Sequence, residues 1–450
     1  MSKRALSKSR YLSGLQCPLL LWTHFNDRGA IPPPDAATQW IFDTGHRVGA
    51  LAQSLWPDGE EVPLSRKLEK TAEWTRELLR RRIPIFEASF LIDGRYCRSD
   101  ILEPVGVNAW NMIEVKSSTK VKEVNLHDVA FQANALRRAG LRLERLELMH
   151  IDRSYVRQGE LDAAGLFHRE DVTDRAVAYG EGLDERVDAM HAIISGERPI
   201  VDIGAHCHSP YNCDLIEQCW RGQARERNVG RAPHEHQVRP DGLREWLDRL
   251  EYPIHHFDFE TMATALPRFQ RTRPYQRIPF QFSLHIEPTP GGECEHVEFL
   301  SMDPIDPRPL LLEALEAIGP TGTVLVFNES FEKSVLRELA RDFPHATALV
   351  DDLIGRMQDL IVPFRAWDLY DPSQHGSCSL KDVLPAWTSL DYADLQIGDG
   401  QQAAREYEQA VFGDQSFEQR DRVAAALREY CGQDTWAMVE LLRVARELAG

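Results

Sequence analysis

Near the middle of the chain, residues 222–242 (GQARERNVGRAPHEHQVRPDG) lack apolar periodicity and carry glycine, proline and charged residues. This composition is typical of a linker or a surface loop. It divides the 450 residues into two segments, each long enough for a domain, since a domain typically takes about 100–200 residues. We therefore expect a first domain over residues 1–225, a linker over 226–242 and a second domain over 243–450.

Apolar periodicity predicts a mixture of helices and strands on both sides of this seam. In the first segment we expect two helices and two strands, over residues 65–82, 124–140, 85–92 and 110–115. In the second segment we expect four strands and two helices, in HHFDFETM, FQFSLHIEP, HVEFLSM, TVLVFN, FEKSVLRELARDF and residues 420–448. Both domains are therefore expected to belong to the α/β class.

Composition and charge limit the kinds of partner. Hydrophobic residues make up 43% of the chain, but they never form the run of roughly 18 apolar residues that a membrane span needs, and no secretory signal is evident. We therefore expect a cytoplasmic protein without a membrane partner. The net charge of −18 lies mostly in residues 231–450, which carry −16. Such acidity opposes a wide nucleic-acid footprint but suits an enzyme that holds nucleotides through metal ions.

Asp100 and the triplet Glu114-Val115-Lys116 form the first acidic motif, at a spacing that suits a hairpin. Because alternate residues of a strand share a face, Glu114 and Lys116 point to the same side. Asp100 on the neighbouring strand can then join Glu114 in binding Mg²⁺ or Mn²⁺, with Lys116 placed to assist a water or the phosphate. The same residues could instead form the solvated face of an amphipathic hairpin.

The polar residues around this motif, His46 in an N-terminal helix, Glu87 before the hairpin and Gln132 in the next helix, resemble RecB-like nucleases of the PD-(D/E)XK superfamily. The resemblance covers residues 1–220 and is strongest to the CRISPR-associated RecB-like exonucleases. It implies a restriction-endonuclease-like core. Leu136 departs from the pattern, because the family often has a tyrosine there.

That resemblance also implies a role for each matching residue. Asp100 and Glu114 would bind the metal, and Lys116, Gln132 and His46 would complete the catalytic set.

Four of the eight cysteines form a pattern, with one near the N-terminus and three close together: Cys17, Cys207, Cys213 and Cys219. In a reducing compartment such a set indicates metal or iron–sulfur ligation rather than disulfides. The residues leave zinc and an iron–sulfur cluster open, although the wide spacing favours a cluster. The resemblance to the RecB-like branch implies a [4Fe–4S] cluster that closes the first domain.

A second set of acids follows the seam. Asp258 and Glu260 share one face of a predicted strand, and Tyr430 and Asp434 lie one helical turn apart. Glu332 lies in the helix after the strand TVLVFN. Three such elements can bring carboxylates together around two metal ions for phosphodiester hydrolysis.

These motifs, in this order, resemble the DEDDy 3′→5′ exonucleases of the RNase H-like fold. The resemblance implies that Asp258, Glu260, Glu332 and Asp434 bind a metal pair and that Tyr430 positions a water. The family usually has aspartate where this chain has Glu332. His375 and Lys381 are candidates for phosphate contact outside the catalytic set.

Together the two halves resemble a bacterial family that joins a RecB-like nuclease to an RNase H-like exonuclease domain. We expect a metal-dependent nuclease, an exonuclease that acts on single-stranded DNA ends in repair, processing or defence. Two alternatives stay open: an exonuclease that acts on RNA with one working site, and a nucleic-acid-binding scaffold with degenerate nuclease folds. The sequence says nothing of protein partners.

Overall fold

The computed structural model describes residues 4–221 and 232–450. They form two compact units. The first comprises the described residues up to 221 together with Ala265–Pro274, and the second comprises residues 232–264 and 275–450. Both units mix helices and sheets, which confirms the α/β expectation at that level. Within the described residues, no helix combines the length and the apolar composition that crossing a membrane requires.

The first unit is built around one mixed sheet and nine helices of the described residues. Its strands are β1 (Leu6–Ser7), β2 (Glu60–Glu61), β3 (Ile85–Ile92), β4 (Arg95–Val105), β5 (Ala109–Lys116), β6 (Arg142–Ile151) and β7 (Phe167–Asp171). Its helices are α1 (Lys8–Gln16), α2 (Pro18–Asn26), α3 (Ala36–Gln53), α4 (Leu68–Arg81), α5 (Glu123–Arg138), α6 (Ala163–Leu166), α7 (Thr173–Gly180), α8 (Leu183–Ser195) and α9 (Ile216–Cys219).

The strand order of this sheet is β2-β3-β4-β5-β6-β7, and β1 pairs in parallel with β4. Strands β3, β4 and β5 form an antiparallel meander, whereas β5 and β6 run parallel because α5 connects them. Helix α5 is buried along most of its length and packs on the sheet through Val129, Phe131 and Leu136. The sheet and α5 thus enclose the main core of the first unit, and the β4–β5 hairpin lies against that helix.

The second unit contains a five-stranded sheet of order β11-β10-β9-β12-β13 and a separate β8–β14 pair. Its strands are β8 (Gln237–Val238), β9 (Ile254–Met262), β10 (Ile278–Glu287), β11 (Glu295–Leu300), β12 (Thr323–Val326), β13 (Met357–Asp359) and β14 (Leu369–Tyr370). Its helices are α10 (Pro240–Leu247), α11 (Arg308–Ala314), α12 (Glu329–Asp342), α13 (Thr347–Gly355), α14 (Val362–Arg365), α15 (Leu380–Trp387), α16 (Gly400–Phe412) and α17 (Phe417–Ala449).

Strand β9 is the centre of this sheet. It pairs antiparallel with β10 and parallel with β12. Helix α17 packs over β9 and β10, and its N-terminus is capped by Ser416, whose hydroxyl accepts from the backbone N–H of Gln419 at 3.3 Å. Residues on one face of β9 are therefore buried beneath a long helix.

Two boundaries differ from the sequence expectation. The predicted linker, residues 226–242, lies in part outside the described residues, and its last residues enter α10 at Pro240. Residues Ala265–Pro274, expected in the second domain, belong to the first unit. There the backbone N–H of Arg157 donates to the carbonyl of Thr272 at 3.0 Å, and that of Arg271 donates to the carbonyl of Arg157 at 2.8 Å.

Candidate functional site

The β4–β5 hairpin places the first two acids side by side. Ile101 pairs with Ile113, so Asp100 lies opposite Glu114 on the neighbouring strand. The backbone N–H of Val115 donates to Oδ2 of Asp100 at 2.7 Å. The side chain of Glu114 is only 1% exposed. The hairpin predicted from the acid spacing is confirmed, and of its two acids Glu114 is buried whereas Asp100 is partly exposed.

Helix α5 adds Gln132 and a further acid, Asp128, to this site. Nε2 of Gln132 donates to Oε2 of Glu114 at 2.7 Å and to Oδ1 of Asp128 at 2.9 Å. Nζ of Lys116 donates to Oε1 of Glu114 at 2.5 Å and to Oδ2 of Asp128 at 2.8 Å. Oε1 of Gln132 is buried without a hydrogen-bond partner among the described residues. Sequence reasoning missed Asp128, although its spacing of one helical turn from Gln132 was a usable signal.

A second lysine, Lys8 at the start of α1, also enters the site. Its Nζ lies 2.8 Å from Oε1 of Glu114 and 3.9 Å from Oδ1 of Asp100. Lys8 is separated from Glu114 by 106 positions in the chain. No local pattern in the sequence indicated this contact.

Burial and neighbouring charges shift the pKa values of the acids of this site in different directions. Burial, and after it the neighbouring carboxylates of Asp100 and Asp128, raise the pKa of Glu114 to about 7. Burial also raises the pKa of Asp100. Against the effect of burial, the ammonium groups of Lys116 and Lys8 lower the pKa of Asp128. A proton taken up by the site therefore goes to Glu114 before Asp128.

Three residues of the sequence argument lie outside this hydrogen-bonded set. His46 is exposed on α3 and is not among the described side chains that contact Asp100 or Glu114. Leu136 is fully buried in the core of the first unit. Glu87, expected before the hairpin, lies inside β3 with a left-handed φ of 54° and accepts from Nε of Arg98 at 2.8 Å.

The four patterned cysteines line one small cavity of the first unit. Cys17, Cys207, Cys213 and Cys219 share its walls with apolar residues, among them Leu19 and Leu215. Burial raises the pKa of the Cys213 thiol to about 11 and that of Cys219 above its ordinary value. The other four cysteines, Cys97, Cys294, Cys378 and Cys431, do not line this cavity.

Among the described residues, these thiols do not form the compact set of a tetrahedral zinc site. Zn–S bonds of about 2.3 Å place the sulfurs of a tetrahedral site about 3.8 Å apart. Among the described residues, the only three ligand side chains within 4.8 Å of one another are acids of the second unit, so no three thiols are that close. Hydrogen bonds hold the segments together: Nε2 of Gln16 donates to the carbonyls of His206 and Tyr211 at 2.9 and 2.7 Å.

In the second unit, Asp258, Glu260 and Asp434 converge, with ligand oxygens within 4.8 Å of one another. Asp258 and Glu260 lie on the same face of β9, because one residue separates them, and Asp434 descends from α17. The sequence predicted all three of these residues for one site, and the structure brings them together.

The remaining residues of the second motif set lie beside this triad. Glu332 on α12 is 1% exposed, and its Oε2 is buried without a hydrogen-bond partner among the described residues. Tyr430 lies one turn before Asp434 on α17. A second tyrosine, Tyr392, donates its hydroxyl to Oδ1 of Asp434 at 2.5 Å. Tyr392 was missed, because nothing in its sequence neighbourhood distinguishes it.

Burial is the main cause of the raised pKa values at this site, and repulsion between carboxylates adds to it at Asp258 and Glu260. Burial raises the pKa of Asp258 well above its usual range, and the carboxylates of Asp434, Glu332 and Glu260 raise it further. Burial likewise raises the pKa of Glu332 to about 8 and that of Asp434 to about 6. The pKa of Glu260 is also raised, by burial and then by Asp434. Without a cation, the four carboxylates cannot all ionise near neutral pH.

Lys381 and Cys431 lie close to this site, whereas the predicted phosphate contact His375 has no contact with it among the described residues. Nζ of Lys381 lies 5.6 and 5.5 Å from the ring centres of Tyr392 and Tyr430 and donates to the carbonyl of Gly398. His375 is exposed on the surface of the second unit. The buried thiol of Cys431 lies 4.0 Å from Oδ2 of Asp258.

Comparisons with known proteins describe part of the chain. Residues 255–379 match a family described as a domain of unknown function (DUF2779). An uncharacterized protein, MG366 of Mycoplasma genitalium, is 23% identical over 222 residues. That match covers 43% of this chain and 32% of the relative, so the chain spans about a third of the relative's length.

Proposed function

We propose that this chain is a metal-dependent nuclease that hydrolyses phosphodiester bonds of DNA, with single-stranded ends as its substrate. The observation that carries the proposal is the convergence of Asp258, Glu260 and Asp434, with oxygens within 4.8 Å of one another. The buried Oε2 of Glu332, which has no hydrogen-bond partner among the described residues, supports it independently.

Divalent cations fit these residues by charge and by ligand type. Oxygen ligands from carboxylates suit Mg²⁺ and Mn²⁺. A bound cation would offset the burial that raises the pKa of Asp258 and Glu332, and the repulsion that adds to it at Asp258. Such ions would activate a water and neutralise charge on the phosphate. Asp258, Glu260, Glu332 and Asp434 would hold them.

The chain's own residues have separate tasks at this site. Tyr392 fixes the orientation of the Asp434 carboxylate through its hydroxyl. Tyr430 is placed beside the same carboxylate and would position the attacking water. Lys381, which lies over both rings, would attract the phosphate of the substrate. These assignments follow the RNase H-like DEDDy resemblance, which remains part of the proposal.

The first unit would supply a second hydrolytic site on a PD-(D/E)XK core. Asp100 and Glu114 would hold Mg²⁺ or Mn²⁺, and Gln132 orients Glu114 by its amide N–H. Lys116 lies within hydrogen-bond distance of Glu114 and would assist the nucleophile. His46 is exposed and contacts neither of these acids in the described structure, so a catalytic role would require the bound substrate to bring it to the site.

The four cysteines would hold a [4Fe–4S] cluster. Four thiols around one cavity are a suitable donor set for such a cluster. A bound cluster would offset the cost of ionising thiols whose pKa burial raises. Free thiols of this kind suit a reducing compartment, so a cytoplasmic setting belongs to the same proposal.

The experiment measures degradation of end-labelled single-stranded DNA, duplex DNA and RNA with Mg²⁺ or Mn²⁺. Wild type is compared with Glu114→Gln, with Glu332→Gln and with the double variant. We expect each single substitution to slow a distinct activity by roughly 100-fold or more and the double substitution to remove both. Glu329→Gln is the matched control, because Glu329 lies one turn from Glu332 on α12 but pairs with Lys333.

Two results would contradict the proposal in different ways. Cleavage of RNA alone would favour the RNA-directed exonuclease. A folded wild type with its cluster that binds nucleic acid but cleaves none would favour a scaffold with degenerate nuclease folds.

A further inference from the structure

Two lysines contact the same carboxylate oxygen of the first site. Nζ of Lys8 lies 2.8 Å, and Nζ of Lys116 2.5 Å, from Oε1 of Glu114. Lys116 also pairs with Asp128, whereas Lys8 reaches Asp100 at 3.9 Å. Lys8 is therefore the cation shared by Asp100 and Glu114, the two carboxylates that would hold a metal ion.

The two acidic sites differ in the number of lysine ammonium groups that form ion pairs with their carboxylates. In the first, the ammonium groups of Lys8 and Lys116 pair with three carboxylates, those of Asp100, Glu114 and Asp128. In the second, Lys381 donates to a backbone carbonyl, and among the described residues no ion pair reaches Asp258, Glu260, Glu332 or Asp434. Among the described residues, a divalent cation would thus meet four carboxylates without an ion pair in the second unit, where the charge of Lys381 acts only from farther away, and three ion-paired carboxylates in the first.

The backbone around Lys8 is held by hydrogen bonds, so the side chain of Lys8 can move while its backbone stays in place. Leu6 and Ser7 pair with β4, and the backbone N–H of Leu6 donates to the carbonyl of Gly94 at 2.8 Å. Ser7 caps α1 through its hydroxyl, which accepts from the backbone N–H of Arg10 at 3.3 Å. The flexible four-carbon stem of lysine allows the ammonium to move while the helix stays in place.

We infer that Lys8 sets the divalent-cation affinity of the first site, because its ammonium must leave Asp100 and Glu114 before a cation can bind there. The inference rests on the proposed function, which makes these two carboxylates metal ligands. Removing one positive charge a few ångströms from a divalent ion strengthens its binding, and at that distance the gain is roughly ten-fold or more. Lys8 then acts as an internal competitor of the metal.

The test is Mn²⁺ binding by electron paramagnetic resonance, measured on the full chain without nucleic acid. Asp258→Asn and Asp434→Asn are present throughout, to silence the second site. In this background we expect Lys8→Met and Lys8→Gln to lower the Mn²⁺ dissociation constant roughly ten-fold or more. Lys8→Arg, which keeps the charge, should stay close to the parent. Lys70→Met is the matched control, because Lys70 is an exposed lysine of α4.

The outcomes distinguish a failure of the role inferred for Lys8 from a failure of the proposed metal site. Equal or weaker Mn²⁺ binding in both neutral variants, with binding still abolished by Glu114→Gln, overturns the role of Lys8 alone. If no variant of this background binds Mn²⁺ at all, the metal site of the first unit fails and the inference falls with it. Thermal unfolding of each variant shows that it is folded.

Discussion

Glu287 and Glu332 are equally buried, but their pKa values are shifted in opposite directions. Each carboxylate side chain is about 1% exposed. Burial alone would raise both pKa values, but His256 and Arg446 overcome it at Glu287 and lower its pKa to about 2. Among the described residues no histidine or arginine forms an ion pair with Glu332, and burial raises its pKa to about 8. Partners, rather than depth, decide which buried acid of this protein is structural and which is available to a ligand.

Replacing Glu287 should cost stability in a pH-dependent way. Its folded pKa of about 2 lies below the ordinary value of 4.5, so its contribution is present above about pH 4.5 and is lost as the pH falls toward 2. We expect Glu287→Gln to lower the free energy of unfolding by about 3 kcal/mol at pH 7 and by less than half of that at pH 3. Urea unfolding at both pH values measures the difference.

The matched control is Glu295→Gln, because Glu295 is exposed on β11. Its effect should be small and the same at both pH values. An equal loss for Glu287→Gln at pH 7 and pH 3 would show that packing, and not the ion pair with Arg446, explains its contribution.

Residues contributed by distant parts of the chain were beyond sequence reasoning. Lys8 and Tyr392 reach their acids through tertiary contacts, across 106 and 42 positions. Residues linked by strand or helix periodicity, such as Asp258 with Glu260, were predictable because the backbone fixes which side chains share a face. The sequence therefore predicts which site residues share one helix or strand better than it predicts the site residues that come from distant parts of the chain.

At the scale of elements, long periodic segments were predicted closely. The strand expected at 85–92 is β3 over Ile85–Ile92, and the helix expected at 420–448 lies within α17, Phe417–Ala449. Short elements such as β13 and α14 were not foreseen, because three or four residues carry no measurable period. Their positions depend on the sheet beside them.

The turn before β12 depends on a glycine. Gly322 has a φ of 84°, and a Cβ there would clash with the carbonyl oxygen of Pro253. We expect Gly322→Ala to lower the free energy of unfolding by at least about 2 kcal/mol, since both the backbone and the contact oppose a side chain. Gly355→Ala is the comparison, because a Cβ at Gly355 meets nothing within 4 Å.

Chemical denaturation of both glycine variants tests this expectation. Gly355→Ala should be within about 1 kcal/mol of wild type or more stable, since alanine restricts the unfolded chain. Similar losses in the two variants would mean that the turn tolerates a side chain.

At the scale of the whole molecule, each unit has its own core, and the proposed cluster would stabilise only the first. We expect Cys213→Ser to lower hydrogen-exchange protection in α1, α2 and residues 201–219, because those segments meet at the four-cysteine cavity. Protection of β9 and β10 in the second unit should stay unchanged. Hydrogen exchange followed by mass spectrometry gives both readings on one sample.

Cys294→Ser is the control for this experiment. Cys294 is a half-buried thiol of the second unit and does not line the cavity. Unchanged protection around residues 201–219 in the Cys213 variant would contradict a stabilising cluster.

The chain order of the first unit has a consequence for its synthesis. Residues 265–274 leave the ribosome only after β9, yet Thr272 and Arg271 make backbone hydrogen bonds with Arg157. Nascent domains usually fold in the order in which they are translated. Here the first unit is complete only after β9 of the second has been made, and until then the backbone groups of Arg157 bond to water instead of residues 271 and 272. A gene fragment that ends in the linker at residues 222–242 would therefore encode a first unit that lacks residues 265–274.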